Sequence, residues 1–147
     1  MRKVQRSALV PYSAAQMFTL VDDVESYPEF LPWCKSSMVH SRDGDTLEAT
    51  IEMQRGNISR KFRTRNTNEP PTRIDIALVD GPFRHLQGRW VFEQLDEAGS
   101  KVELNLSFEF ASSMIDALLG RFFENTCNTL IEAFNRRADK LYGGRSS

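Results

Sequence analysis

The sequence lacks any run approaching the roughly 20 apolar residues that cross a bilayer, so no membrane-spanning helix is expected. Only two cysteines, Cys34 and Cys127, occur in 147 residues, and only two histidines, His40 and His85. They form no Cys-x-x-Cys pair and show no metal-ligand spacing, so neither a structural zinc site nor a metal cofactor is expected. Two isolated cysteines read as buried, reduced thiols. An excess of one charge is also missing: 19 basic residues face 20 acidic ones, for a formal net charge of -1. Binding to RNA or to an anionic surface would therefore need a local patch. There is no nucleophile elbow, no glycine-rich phosphate loop, no repeat and no low-complexity linker. Met1-Arg2-Lys3 is basic, but no apolar segment of signal-peptide type follows it, so a cytoplasmic location is expected.

What is present fits one α+β domain over residues 1–147. Hydrophobic residues make up 40% and charged residues 27%, a globular balance. A chain of this length closes a core without staples. Residues 2–10 read as a strand ended by Pro11. Ser13 is placed to cap a short helix through about Val21. Pro28 and Pro32 limit the segment from Tyr27 to Trp33 to a turn or so of helix. Apolar and polar residues then alternate with period 2 at Leu47–Gln54, Ile74–Leu78, Leu86–Phe92 and Val102–Phe110, the mark of strands wet on one side, and Ile58 to Arg65 returns from a turn at Gly56-Asn57. Short connections between them predict an antiparallel meander of six or seven strands. From about Ser113 to Leu141 the apolar spacing becomes helical, with Gly143-Gly144 as the stop. A helix on the order of 40 Å long suits a curved sheet that wraps around it, the helix-grip order.

The inward strand phases carry heavy aromatic bulk: Phe62, Phe83, Trp90, Phe92, Phe108 and Phe110, with Phe122, Phe123 and Phe134 from the helix. Two readings stand. Either this is ordinary close-packed core, or the curved sheet leaves space for an apolar ligand. On the second reading Ile51, Met53, Ile76 and Leu106 join the walls from the strands, and Leu119 from the helix. Tyr27, Phe30, Leu31 and Trp33 stand at the mouth, where Tyr27 and Trp33 each join an apolar body to one polar tip. Few other polar groups point inward. Arg60 shares the inward phase of Ile58 and Phe62. Its guanidinium either meets a ligand carbonyl or head group, or snorkels to water. Met114, Ile115, Leu118, Leu119, Phe122 and Phe123 surround the start of the last helix with apolar residues. They are either covered on both sides or form a gate that admits a lipid or touches a membrane.

Arg55, Arg60, Lys61, Arg63, Arg65 and Arg73 form the densest basic stretch and invite an RNA reading. A two-residue turn at Gly56-Asn57 pairs Arg55 with Ile58. It then sets Glu52 opposite Lys61 and Glu48 opposite Arg65, so much of the charge is neutralised across strands. Arg63, opposite Thr50, is expected to stay free. Arg63, Arg65 and Arg73 are thus the candidate partner surface. The outward phase carries no stacking aromatics, which argues against specific single-stranded RNA binding, and specific DNA binding is not expected. Catalysis has little support. His85 has no evident acid–base partner, Asp75 lies on the outward phase, and Asp80-Gly81-Pro82 reads as a turn. No catalytic residue is assigned.

Two segments carry a family resemblance. One runs from Val10-Pro11-Tyr12-Ser13 through Val21-Asp22-Asp23-Val24-Glu25-Ser26-Tyr27-Pro28-Glu29-Phe30-Leu31-Pro32-Trp33-Cys34. The other is Asp80-Gly81-Pro82-Phe83-Arg84-His85-Leu86-Gln87-Gly88-Arg89-Trp90-Val91-Phe92. Both resemble the coenzyme Q-binding START-domain family of the SRPBCC superfamily, also labelled oligoketide or polyketide cyclase/dehydrase, and the likeness covers essentially the whole chain. It implies a START or Bet v 1-like helix-grip fold with a hydrophobic tunnel. For mitochondrial members it implies binding of a polyprenyl quinone such as ubiquinone in support of respiration. For bacterial ribosome-association toxins it implies binding the large ribosomal subunit and blocking subunit association. The expectation is non-enzymatic binding of ubiquinone or another lipid, with transient contact at the inner membrane surface. The ribosome role is the rival, and an aromatic polyketide cyclase a remote third.

Overall fold

Pro11 ends the first strand, β1 (Arg2–Val10), and Ser13 starts α1 (Ala14–Asp22). The cap is reciprocal. Ser13 Oγ accepts from Gln16 N at 3.0 Å, and Gln16 Oε1 accepts from Ser13 N at 3.0 Å, satisfying two amides that the first helical turn leaves open. A 3₁₀ turn, Val24–Glu29, contains Pro28. The computed structural model describes residues 1–97 and 99–143. Gly144, half of the expected helix stop, lies outside them, whereas Gly143 donates its N–H to Asp139 O at 3.0 Å.

The strands that follow are β2 (Cys34–Asp43), β3 (Thr46–Arg55), β4 (Ile58–Glu69), β5 (Arg73–Asp80), β6 (Phe83–Asp96) and β7 (Gly99–Phe110). Among the described residues these form one seven-stranded antiparallel sheet in the order β1-β7-β6-β5-β4-β3-β2. Gly56, at φ 57°, supplies the left-handed residue of the β3–β4 turn. The register has Arg55 opposite Ile58, Glu52 opposite Lys61 and Glu48 opposite Arg65, as the turn predicts. At β5–β6 pairing stops at Ala77↔Gln87, whereas β5 stays paired with β4 as far as Asp80. The two strands therefore splay towards their turn.

The sheet wraps the C-terminal helix in the expected helix-grip arrangement, but that helix is not continuous. It comprises α2 (Ser113–Ile115), a π turn (Asp116–Gly120), α3 (Arg121–Asn128) and α4 (Leu130–Tyr142). Thr129 interrupts it at φ -106°, ψ 3°. Both its N–H and its Oγ1 donate to Thr126 O, at 3.1 and 2.9 Å. Asn125-Thr126-Cys127-Asn128-Thr129 is a run of weak helix formers whose side chains compete for backbone partners. Apolar spacing alone reads straight through such a run.

Packing joins the layers. Phe123 lies against Phe108 at 4.9 Å and Phe62 at 5.9 Å, and Phe134 lies against Trp90 at 5.5 Å between ring centroids. From α1, Phe18 meets Phe92 at 5.6 Å. Each buried phenyl contributes roughly 1.5–3 kcal/mol over an exposed one. Arg2 ties β1 to the helix start, donating from Nε to Asp116 at 3.1 Å and from Nη1 to Glu124 at 2.8 Å. Its guanidinium fits there because residue 120 is glycine: a Cβ at Gly120 would stand 2.7 Å from Arg2 Nε and 2.5 Å from Asp116 Oδ1.

Candidate functional site: an interior apolar cavity and a polar outer groove

A space of about 80 Å³ lies between the concave sheet and α3–α4. Ile51, Phe62, Ile76, Trp90 and Leu106 line it from the strands, Phe123 from the helix, and Tyr27 and Trp33 from the edge. These eight were expected from the strand and helix phases. Phe134, one of the aromatics left open between core and cavity, lines it as well, as do Leu86, Cys127 and Leu130, which were not among the expected lining residues. Val24 and Ala49 complete the wall.

The remaining lining is polar, and it supplies the few inward polar groups that were expected without naming them. Thr64 and Asn66 lie on the inward phase of β4, 5% and 9% exposed, and both face the cavity. Thr64 Oγ1 donates to Asn66 Oδ1 at 3.2 Å. Two residues on, buried Asn68 donates to Asp22 Oδ1 at 2.8 Å. The alternation that places Ile58, Arg60 and Phe62 inward continues through Thr64, Asn66 and Asn68. The signal for these residues was therefore present, hidden by the habit of reading only apolar side chains as inward.

The other expected site residues lie elsewhere. Leu31, Met53, Phe83, Phe92, Phe108 and Leu119 are buried core that does not reach the cavity. Phe83, for example, stacks on Phe110 at 4.5 Å. Phe30 packs on Phe134 at 5.3 Å beneath Arg137, whose guanidinium carbon is 4.9 Å from the Phe30 ring centroid. Phe122 does not reach the cavity: it is half-buried at the edge of the core, under Arg55 at 5.6 Å. Arg60 keeps the inward phase but not the inward position. It is exposed and donates to Ser59 O at 2.8 Å, because it lies near the hairpin end, where a long side chain reaches water.

Tyr27 does not offer its hydroxyl to the cavity, since the group donates to Val21 O at 2.5 Å. Burial raises its pKa, so the phenol stays neutral. Trp33, half-buried, meets Phe123 edge-on at 6.4 Å. Burial raises both thiols, Cys34 to about 11 and Cys127 further. That is the opposite of an activated nucleophile.

The outer face of the sheet holds an open groove of about 900 Å³, lined by Lys3, Gln5, Arg65, Asp75, Gln87 and Arg89 among others. The expectation of a free Arg63 fails, because its Nη2 reaches Glu48 Oε1 at 2.6 Å. Arg65 shares the same carboxylate at 3.0 Å. Arg73 meets Glu69 at 3.0 Å and Asp75 at 3.2 Å. Sequence register puts Thr50 opposite Arg63, but a long side chain reaches diagonally. The joint hold of Arg65 and Arg63 lowers the Glu48 pKa. One carboxylate between two arginines leaves a positive remainder on this face. His85 is hydrogen-bonded to Ser107 Oγ at 2.9 Å, also on the outer face.

Comparison with known proteins agrees with this geometry. The family model described as "Polyketide cyclase / dehydrase and lipid transport" matches residues 10–135. A "Ribosome association toxin RatA" of Vibrio cholerae is 47% identical over 143 residues, covering 97% of this chain and 99% of that protein. The mitochondrial "Coenzyme Q-binding protein COQ10" of Dictyostelium discoideum is 29% identical, covering 92% of this chain and 68% of that protein. A START superfamily protein from Mycobacterium smegmatis superposes with a TM-score of 0.77 at 22% identity, covering 95% of this chain and 98% of that one. Its likeness supports the fold alone.

Proposed function

The chain belongs to the polyketide cyclase/dehydrase and lipid transport family, and from that premise we propose that it binds, without catalysis, a hydrophobic ligand with a small polar head, a polyprenyl quinone. The observation that carries this reading is the cavity. Its walls are aliphatic and aromatic, and its one polar feature is the Thr64–Asn66 pair. A hydroxyl and an amide in an apolar wall suit a ligand carbonyl or methoxyl, while the walls suit an isoprenoid tail. The Dictyostelium relative, named as coenzyme Q-binding, supports the same choice.

Size sets a condition. The space of about 80 Å³ is roughly half of the ~150 Å³ that admits benzene in an engineered protein cavity. A quinone ring therefore enters only if the helical cover moves outward. The break at Thr129 and the π turn divide that cover into short pieces that can shift separately. Lipid extraction of protein purified from its native host, followed by mass spectrometry, tests the proposal. Co-purified quinone is expected. A protein that carries none, and takes up none from detergent micelles, would refute it.

A second reading is association with the large ribosomal subunit. It is favoured by the relatives named as ribosome association toxins, at 47% identity over nearly the full length, and by the polar outer groove. Sedimentation with purified subunits at low salt tests it. A protein that stays at the top of the gradient has no such role. The readings use opposite faces of the sheet, so either can hold without the other.

A further inference from the structure

On the outer sheet face Arg63, Arg65, Arg73 and Arg89 are ion-paired. Where the C-terminal helix begins Arg2 is paired too, but three further arginines at that end are not. Among the described residues, Arg55, Arg60 and Arg121 form no ion pair. Arg55 instead donates to Leu118 O at 2.6 Å and lies over Phe122. Arg60 is exposed at the neighbouring hairpin tip, and Arg121 is exposed one helical turn after Leu118. The carboxylates of this helix end, Asp116 and Glu124, are both engaged by Arg2. Glu52, on the outward face of the same hairpin, accepts from Ser36 Oγ at 2.9 Å and has Lys35 and Lys61 around it. The charge left over here is positive.

Between these cations runs an apolar stripe. Met114, Leu118 and Phe122 recur every fourth residue, with Met114 69% and Leu118 39% exposed. The strand phases and the Tyr27–Trp33 segment cover Leu119 and Phe123 but leave Met114 and Leu118 open, with Phe122 half-buried beside them under Arg55. A solvated helix end with two large exposed apolar side chains, ringed by unneutralised guanidinium groups, has the composition of an interfacial membrane contact. The apolar groups enter the headgroup boundary and the arginines meet lipid phosphates. RNA would engage the arginines alone and leave Met114 and Leu118 without use, so the stripe favours a bilayer.

We propose that this helix start, with Met114, Leu118 and Phe122 flanked by Arg55, Arg60 and Arg121, docks the protein onto an anionic bilayer surface. The inference deepens the proposed lipid-binding role by giving the ligand a route. Phe123, next to Phe122, lines the cavity, and the π turn lies within the contact. Docking brings the movable part of the cover to the membrane from which a quinone would come.

The test is flotation with quinone-free vesicles of phosphatidylcholine, with and without phosphatidylglycerol. Binding only to the anionic vesicles, weakened by added salt, is expected. Met114→Ser with Leu118→Ser, and separately Arg60→Glu with Arg121→Glu, should each weaken it by about tenfold or more. Their melting temperatures confirm that these surface variants fold. Absence of phosphatidylglycerol-dependent binding, or binding unchanged in both double variants, overturns docking. So does loss of ribosomal-subunit binding in Arg60→Glu with Arg121→Glu when the parent protein ignores vesicles. Quinone uptake from micelles is measured separately, so failure of docking and failure of the ligand reading are distinguishable.

Discussion

At the scale of single residues, Thr64 and Asn66 are the most informative. Their mutual hydrogen bond satisfies one donor and one acceptor, and each side chain has capacity to spare. Replacing both with apolar groups of similar size, Thr64→Val with Asn66→Leu, removes donor and acceptor together. Stability should then change by less than about 1.5 kcal/mol in urea denaturation, while quinone affinity from micelles should drop about tenfold for each hydrogen bond lost. Unaltered affinity would show that the pair does not face the ligand head. The cysteines make an independent prediction. With both pKa values raised by burial, Cys34 to about 11, neither thiol should react with Ellman's reagent at pH 8 in the native protein. Both should react once it is denatured. This pair of residues was legible in the sequence as buried thiols, because free cysteines are commonly buried. Arg60 was not legible in position, since phase assigns a direction to its Cβ but does not say where a long flexible side chain ends.

At the scale of elements, the strands were legible and the helix only partly so. A period of 2 on one wet face fixes which side chains point inward, and the Gly56-Asn57 turn fixes the β3–β4 register. The break at Thr129 goes with its N–H and Oγ1 both turning to Thr126 O, and the helix start is tied down by the Arg2 clamp, which reaches across more than a hundred residues of chain. The clamp is testable in two ways. Gly120→Ala forces a Cβ to within 2.7 Å of Arg2 Nε. The atoms it meets are the ends of two flexible side chains, so it should displace the clamp and spare the core: with Ala preferred over Gly in a helix by about 0.5–1 kcal/mol, the melting temperature should move by no more than a few degrees, at roughly 2–4 °C per kcal/mol. The second test uses pH. The hydrogen bond from Arg2 holds the Asp116 carboxyl below its ordinary range. Because the folded value is depressed, the linked stability is fully present above the ordinary aspartate value of about 3.9 and is lost as pH falls through the lower folded value. Arg2→Met should therefore be less stable than the parent near neutrality, by on the order of 1 kcal/mol or less for so exposed a pair. The gap should narrow below about pH 4 in urea melts taken across that range.

At the scale of the molecule, the sheet is a wall with two kinds of chemistry. Its inner face meets a cavity too small for a ring as it stands, and its outer face presents cations that share carboxylates. That sharing was only half visible in the sequence: register gives the directly opposite pairs, but not the diagonal reach of Arg63 to Glu48. It also decides how ribosome binding should respond to salt. Ion pairs whose arginine ends are exposed contribute about 0–1 kcal/mol each, so RNA phosphates can compete with the half-buried Glu48 for Arg63 and Arg65. If the outer groove meets the large subunit, Arg63→Gln with Arg65→Gln should weaken co-sedimentation. It should also flatten the dependence of the logarithm of binding on the logarithm of salt concentration by roughly 0.7–0.9 per phosphate contact removed. Quinone uptake should be unchanged, because neither side chain lines the cavity. The converse holds for Thr64→Val with Asn66→Leu, which should spare sedimentation. Should the outer variants impair quinone uptake while leaving sedimentation and its salt slope intact, the separation of roles between the two faces of the sheet would be wrong.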